Sequence, residues 1–314
     1  MSLLKRALAV IAAMVAASAW AADSPMPPEI AQKLVELGRV IDPPATAALY
    51  APFQQKEPYF GARVERDLKY GPAERNLLDI FMPQATTSGR PVLMFVHGGA
   101  FVRGNKRRTP DSPFYDNIML WAVKSGFIGV NLTYRLAPQF PWPAGAEDVA
   151  SAVQWVTKEI GERGGDPSRI YLMGHSAGAI HVASYVSHPE FYKVKNGGVR
   201  GAIMVSAIYD LTAAPLTEPE QAYFGSDASR YAAQSSLSGL LKTNIPLMAV
   251  SSELDLPGFV KQLDLFKEAS CKRPGGCART VMLPQHSHMS EVYSINTADT
   301  RLTDAILDFV KTGK

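Results

Sequence analysis

The sequence predicts an α/β fold, a mostly parallel eight-stranded sheet flanked by helices, and three observations carry that expectation. Short β-rich runs alternate with longer amphipathic stretches along the chain. Several of the short runs, Val92 to Val96 among them, are continuously apolar, as strands covered on both faces are. There is no internal repeat or low-complexity tract, and a chain of 314 residues is long enough to bury one substantial core.

At the N-terminus, Lys5 and Arg6 precede an apolar run from Ala7 to Ala17 and then the small-residue triplet Ala19-Trp20-Ala21. This is the pattern of a signal peptide, residues 1–21, and it predicts export to the periplasm or the medium. The run is shorter than the ~20 residues that a spanning helix needs, so no stable membrane insertion is expected after cleavage. Removing residues 1–21 takes away Lys5 and Arg6 and no acidic residue, which lowers the formal net charge from +3 to +1 and leaves a domain of residues 22–314. That balance argues against nucleic acid or acidic polymers as partners and favours small neutral ligands.

Residues 27–56 carry a helix, Glu29 to Gly38, and then an extended break at Pro43-Pro44. The strands follow at Ala62 to Tyr70, Asn76 to Met82, Val92 to Val96, Ile128 to Tyr134, Ile170 to Met173, Gly201 to Ser206, Leu247 to Ser251 and Thr280 to Leu283. The first two read as an antiparallel hairpin around Gly71-Pro72. Helices are expected near Tyr115 to Lys124, Gly145 to Ile160, Ala177 to Ser187, Phe259 to Ala269 and Ala298 to Val310. In the second of these, Val149, Val153 and Val156 recur at three- or four-residue spacing among charged residues, the signature of a packing face. Two segments fall outside the alternation, residues 27–56 and 211–243, and both are candidates for a small helical cap. Cys271 and Cys277 flank Lys-Arg-Pro-Gly-Gly; in an oxidising compartment they predict a local disulfide, and two thiols are too few for a structural zinc site.

The chemistry centres on Gly174-His175-Ser176-Ala177-Gly178, which follows the apolar strand Ile170-Tyr171-Leu172-Met173 and opens an Ala-rich helix. A serine on a sharp strand-to-helix turn is a nucleophile elbow, and the flanking glycines permit close approach of strand and helix. After the strand Val92 to Val96 comes His97-Gly98-Gly99-Ala100-Phe101. It reads as an oxyanion loop in which the N–H groups of Gly99 and Ala100, with that of Ala177, face a developing oxyanion and Gly98 makes the turn. Where a serine sits on such an elbow, the usual chain order is serine, acid, histidine, so the base is expected after Ser176. Of the six histidines, His97 and His175 sit in those two motifs, and His181 and His188 lie on the elbow helix or at its end. His288 is favoured, with its neighbour His286 as the alternative. The acid is expected between serine and base; Asp255 fits, Glu253 is its nearer-strand rival and Asp210 a weaker one.

These motifs, together with Tyr134-Arg135-Leu136-Ala137-Pro138, Pro141-Trp142-Pro143-Ala144 and Glu147-Asp148, resemble the bacterial hormone-sensitive-lipase-like esterases and the related arylformamidase-type hydrolases, from about Val92 to the C-terminus. The resemblance implies an α/β-hydrolase fold and hydrolysis of short-chain or aromatic carboxylic esters through an acyl-enzyme, without metal or organic cofactor. It departs from the group at Ala100, which stands where a third glycine is usual, at Glu253-Leu254-Asp255-Leu256-Pro257, and at His286-Ser287-His288 in place of His-Gly-Phe. Amide or formamide hydrolysis by the same residues is the second reading. A non-catalytic binding module on this scaffold is a third, although such modules tend to lose a triad member.

Overall fold

The computed structural model describes residues 26–85, 88–273 and 276–313. The expected signal peptide lies outside the described residues. An antiparallel hairpin, β1 (Ala62–Lys69) and β2 (Leu77–Pro83), leads into a sheet continued by β3 (Arg90–Val96), β4 (Ile128–Leu132), β5 (Gly165–His175), β6 (Gly201–Val205), β7 (Leu247–Leu254) and β8 (Arg279–Ser287). The strand order is β1-β2-β4-β3-β5-β6-β7-β8, antiparallel as far as the β2/β4 pair and parallel from β4 onward. All eight expected strands form, with their limits moved: β4 stops at Leu132 and β5 starts five residues before Ile170.

The helices are α1 (Pro28–Leu37), α2 (Pro43–Tyr50), α3 (Asp116–Lys124), α4 (Ala144–Glu159), α5 (Ala177–Ser187), α6 (Glu218–Phe224), α7 (Tyr231–Gln234), α8 (Leu237–Leu240), α9 (Pro257–Cys271), α10 (Ser290–Tyr293) and α11 (Arg301–Thr312). One expectation is corrected: Pro43-Pro44 does not break the chain but opens α2. Proline suits the first turn of a helix, where its missing N–H has no partner to lose, and Asp42 caps the turn by accepting from Ala45 N at 2.9 Å.

Alternation along the central strands feeds two cores. Val92, Met94 and Val96 join the layer that includes Val149, Val153 and Val156 of α4 and Ala179 and Val182 of α5. Leu93 and Phe95 point the other way, into a layer with Ile118 and Ala122 of α3 and Ile306 and Phe309 of α11. Both faces of the parallel sheet are thereby dry, which is why its strands read as unbroken apolar runs. Parallel strands that all end on one edge bring the loops after β3, β5, β6, β7 and β8 together. The Cys271–Cys277 disulfide closes the end of α9. Among the described residues no helix is long and apolar enough to cross a membrane.

Candidate active site

Ser176 sits between β5 and α5 with φ 55° and ψ −125°, a left-handed conformation that a non-glycine residue adopts only under constraint. The constraint is the packing of its two glycines. A Cβ at Gly178 would lie 2.1 Å from the Val96 carbonyl oxygen, and one at Gly174 would lie 2.4 Å from that of Gly178. The Ser176 N–H donates to the Val205 carbonyl at 2.9 Å, tying the elbow to β6. Gly178→Ala is therefore expected to lower stability by about 1–3 kcal/mol, the usual cost of overpacking a tight contact. A fall in the urea midpoint measures it.

The loop after β3 turns beside the serine. A Cβ on Gly98 would stand 3.0 Å from Ser176 Cβ, so that residue passes directly against the elbow. Gly99 (φ 138°), Ala100 (φ 51°) and Phe101 (φ 65°) form a run of positive φ held by Arg103 N to Gly99 O at 3.1 Å and Val102 N to Ala100 O at 2.8 Å. Among the described residues the N–H groups of Gly99 and Ala100 donate to no other backbone group. Ala177 opens α5, where the first N–H groups of a helix have no internal partner and the helix dipole favours negative charge. His97 props this loop rather than titrating in it. Burial pushes its imidazole down to about 3, its ring stacks on Tyr134 at 4.4 Å, and the Tyr134 hydroxyl donates to the His97 carbonyl at 2.9 Å. Arg135 in turn is locked by Asp148, 2.9 Å from its Nε. Phe101 is covered by the cap candidate: Tyr223 stacks on it at 4.6 Å and Phe224 meets it edge-on.

Of the two candidate bases, the structure brings His288 to the acid. Its Nδ1 lies 2.9 Å from Asp255 Oδ1, both residues being buried, and its ring lies against His175 with centroids 4.8 Å apart. The His288 carbonyl accepts from His175 Nε2 at 2.8 Å, which fixes the base loop to the residue beside the serine. His286 is engaged elsewhere, with Nδ1 3.0 Å from Ser290 Oγ and Nε2 3.0 Å from Asp299 Oδ2. Neither rival acid approaches a base: Glu253 accepts from Gln285 N, and Asp210 accepts from Thr212 within its own turn.

Burial works against charge on both members of the Asp255–His288 pair, and mutual attraction outweighs it. Desolvation alone would push His288 down; the hydrogen bond and charge of Asp255 leave it above its ordinary value. Desolvation alone would push Asp255 up; His288, Ser206 and the Leu256 N–H leave it below its ordinary value. Two residues of this constellation escape reading by motif. Ser206, at φ 53° just past β6, has its Oγ 2.5 Å from Asp255 Oδ2, and buried Glu291 reaches that same Oγ at 2.6 Å. A non-glycine residue at the carboxyl end of a parallel strand is the signal for the first; for the second, the only one is its position three residues after His288.

Two solved esterase structures share this architecture. Esterase B of Lactobacillus rhamnosis, inhibited by a C4-C4 SN3 tributyrin phosphonate, is 15% identical, with a TM-score of 0.68 over 90% of this chain and 94% of that one. A hyperthermophilic esterase from the archaeon Pyrobaculum calidifontis is 19% identical, with a TM-score of 0.62 over 92% and 98%. The chain has the α/β-hydrolase fold. In sequence, residues 78–213 match the family described as BD-FAE. Esterase LipQ of Mycobacterium tuberculosis is 37% identical over 157 residues, which are 46% of this chain and 36% of that protein. Isoprenylcysteine alpha-carbonyl methylesterase ICME of Arabidopsis thaliana is 35% identical, over 40% of this chain and 28% of the relative. The chain thus spans about a third of the length of these curated relatives.

Proposed function

We propose that this α/β-hydrolase is a serine carboxylesterase acting on short-chain or aromatic esters, with Ser176 as nucleophile, His288 as base and Asp255 as acid. The observation that carries the reading is the buried Asp255–His288 pair, 2.9 Å apart, tied through the His288 carbonyl to His175, the residue before a serine at a strained elbow. Asp255 accepts Nδ1–H, which leaves Nε2 to take the Ser176 proton. The freed Oγ bonds to the acyl carbon, and the carbonyl oxygen gains negative charge facing the N–H groups of Gly99, Ala100 and Ala177 across the turn of Gly98. Collapse of the adduct breaks the ester bond, and the alcohol leaves with the proton from His288. Water activated by the same imidazole then adds to the acyl carbon and releases the acid.

The esterase names of the relatives support the ester class, and the tributyrin-derived inhibitor on one structural neighbour supports short acyl groups. Segments 27–56 and 211–243 are proposed to cap the site. Arg39 Nη1 donates to the Asp255 carbonyl at 2.9 Å from the first, and Tyr223 and Phe224 clamp Phe101 from the second. The leader pattern supports an exported enzyme, with a small neutral ester as its partner.

Hydrolysis of a p-nitrophenyl ester series, with matched amides, tests the reading. It is expected to peak at short acyl chains and to stop when a fluorophosphonate adds to Ser176, located by peptide mapping. A preference for the amides would replace the esterase assignment with an amidase one, and a folded protein that turns over neither would leave a binding role.

A further inference from the structure

Glu291 is a fully buried carboxyl group that the mechanism above does not use, and the hydrogens around it can be counted. Ser206 Oγ stands 2.6 Å from Glu291 Oε1 and 2.5 Å from Asp255 Oδ2, and a hydroxyl has one hydrogen to give. With both carboxyls ionised, one of those contacts would set lone pair against lone pair in a dry interior, which is strongly unfavourable. One more proton resolves the chain, and the surroundings say where it sits. Asp255 already faces His288 Nδ1 and the Leu256 N–H at 2.7 Å, donors that favour its charge. Glu291 has no such set. Ser252 Oγ closes on its Oε2, and His175 Nε2, 3.3 Å from Oε1, is committed to the His288 carbonyl. Around it stand the titratable groups His175, His288, Asp255 and Tyr209.

We propose that Glu291 is a positioning residue working as a neutral acid: its Oε1–H donates to Ser206 Oγ, and Ser206 Oγ–H donates to Asp255 Oδ2, so that one proton held between two buried carboxyls fixes the Asp255 carboxylate against His288. Nothing is consumed in this relay; it orients Asp255 from the side opposite the base. The role in catalysis rests on the triad assignment above, whereas the proton does not.

The test separates the two. The infrared spectrum of the wild-type protein at neutral pH is expected to contain a protonated-carboxyl C=O band that disappears in Glu291→Gln; no such band means an ionised Glu291 and ends the proposal. In kinetics, Glu291→Gln keeps a neutral donor at the same place, so kcat and the acid limb of its pH profile stay near wild type. Ser206→Ala breaks the relay and lowers kcat about 10- to 100-fold with KM little changed, the loss expected for one hydrogen bond to a charged group. A Glu291→Gln variant as slow as Ser206→Ala, with its acid limb moved down, would show a working negative charge and overturn the assignment. If the band is present but wild type hydrolyses no ester, the esterase reading fails and the shared proton stands.

Discussion

Replacing Ser176 by alanine is expected to lower kcat on a short p-nitrophenyl ester by about 10⁵- to 10⁶-fold while leaving the thermal midpoint close to wild type. The size follows from what is lost. Without Oγ no acyl-enzyme forms, and His288 and Asp255 have nothing to activate; what survives is binding and the oxyanion donors, worth about 10³- to 10⁴-fold over water in comparable enzymes. The fold should not suffer. Alanine at φ 55° meets the same backbone constraint as serine does, and the tie from residue 176 N to the Val205 carbonyl is made by the main chain. Substrate affinity gives a further check, because Gly98, Gly99 and Ala100 belong to another loop and stay where they are. Equal rates in variant and wild type would remove Ser176 from the mechanism and turn the search to another nucleophile.

The parts of this site that could be read in the sequence are those that local chain geometry writes as a short motif. An elbow needs glycine at positions 174 and 178 because strand and helix nearly touch there, so strand, Gly-x-Ser-x-Gly and helix appear together. The oxyanion loop is legible for the same reason: Gly98 and Gly99 mark backbone that side chains would block. Between His286 and His288 the sequence favours the second only through the room its loop leaves before Met289-Ser290-Glu291, since both stand at the end of β8. The fold does so through a residue 13 positions away, Asp299, which takes His286 out of reach and is itself held by Arg301. Ser206 and Glu291 had no motif at all. Their contact spans 85 residues and exists because β6 and the chain after β8 end on the same edge of the sheet. Pro43-Pro44 failed in the opposite way: the chemistry was in view, but a proline pair starts a helix as readily as it ends one, and the Asp42 cap decided.

Asp255→Asn is expected to cost about 10⁴-fold in kcat, and its pH profile should say why. His288 must be neutral to act as the proposed base, so kcat/KM is expected to rise with pH as that imidazole loses its proton. Because Asp255 holds His288 above its ordinary value against the pull of burial, the wild-type acid limb should lie above the unperturbed histidine value of about 6.5. The asparagine variant keeps the burial and loses the charge, so its limb should move to lower pH. Its maximum falls because an amide N–H facing Nδ1 favours the tautomer with its proton on Nε2, the nitrogen that must accept from Ser176. His286→Ala supplies the contrast. It removes a buried ring bonded to Ser290 and Asp299 and should lower the thermal midpoint, yet the acid limb and kcat of the folded fraction should stay near wild type. Were the limb instead to vanish in His286→Ala and persist in Asp255→Asn, the base would be His286 and the 2.9 Å pair of Asp255 and His288 would be structural.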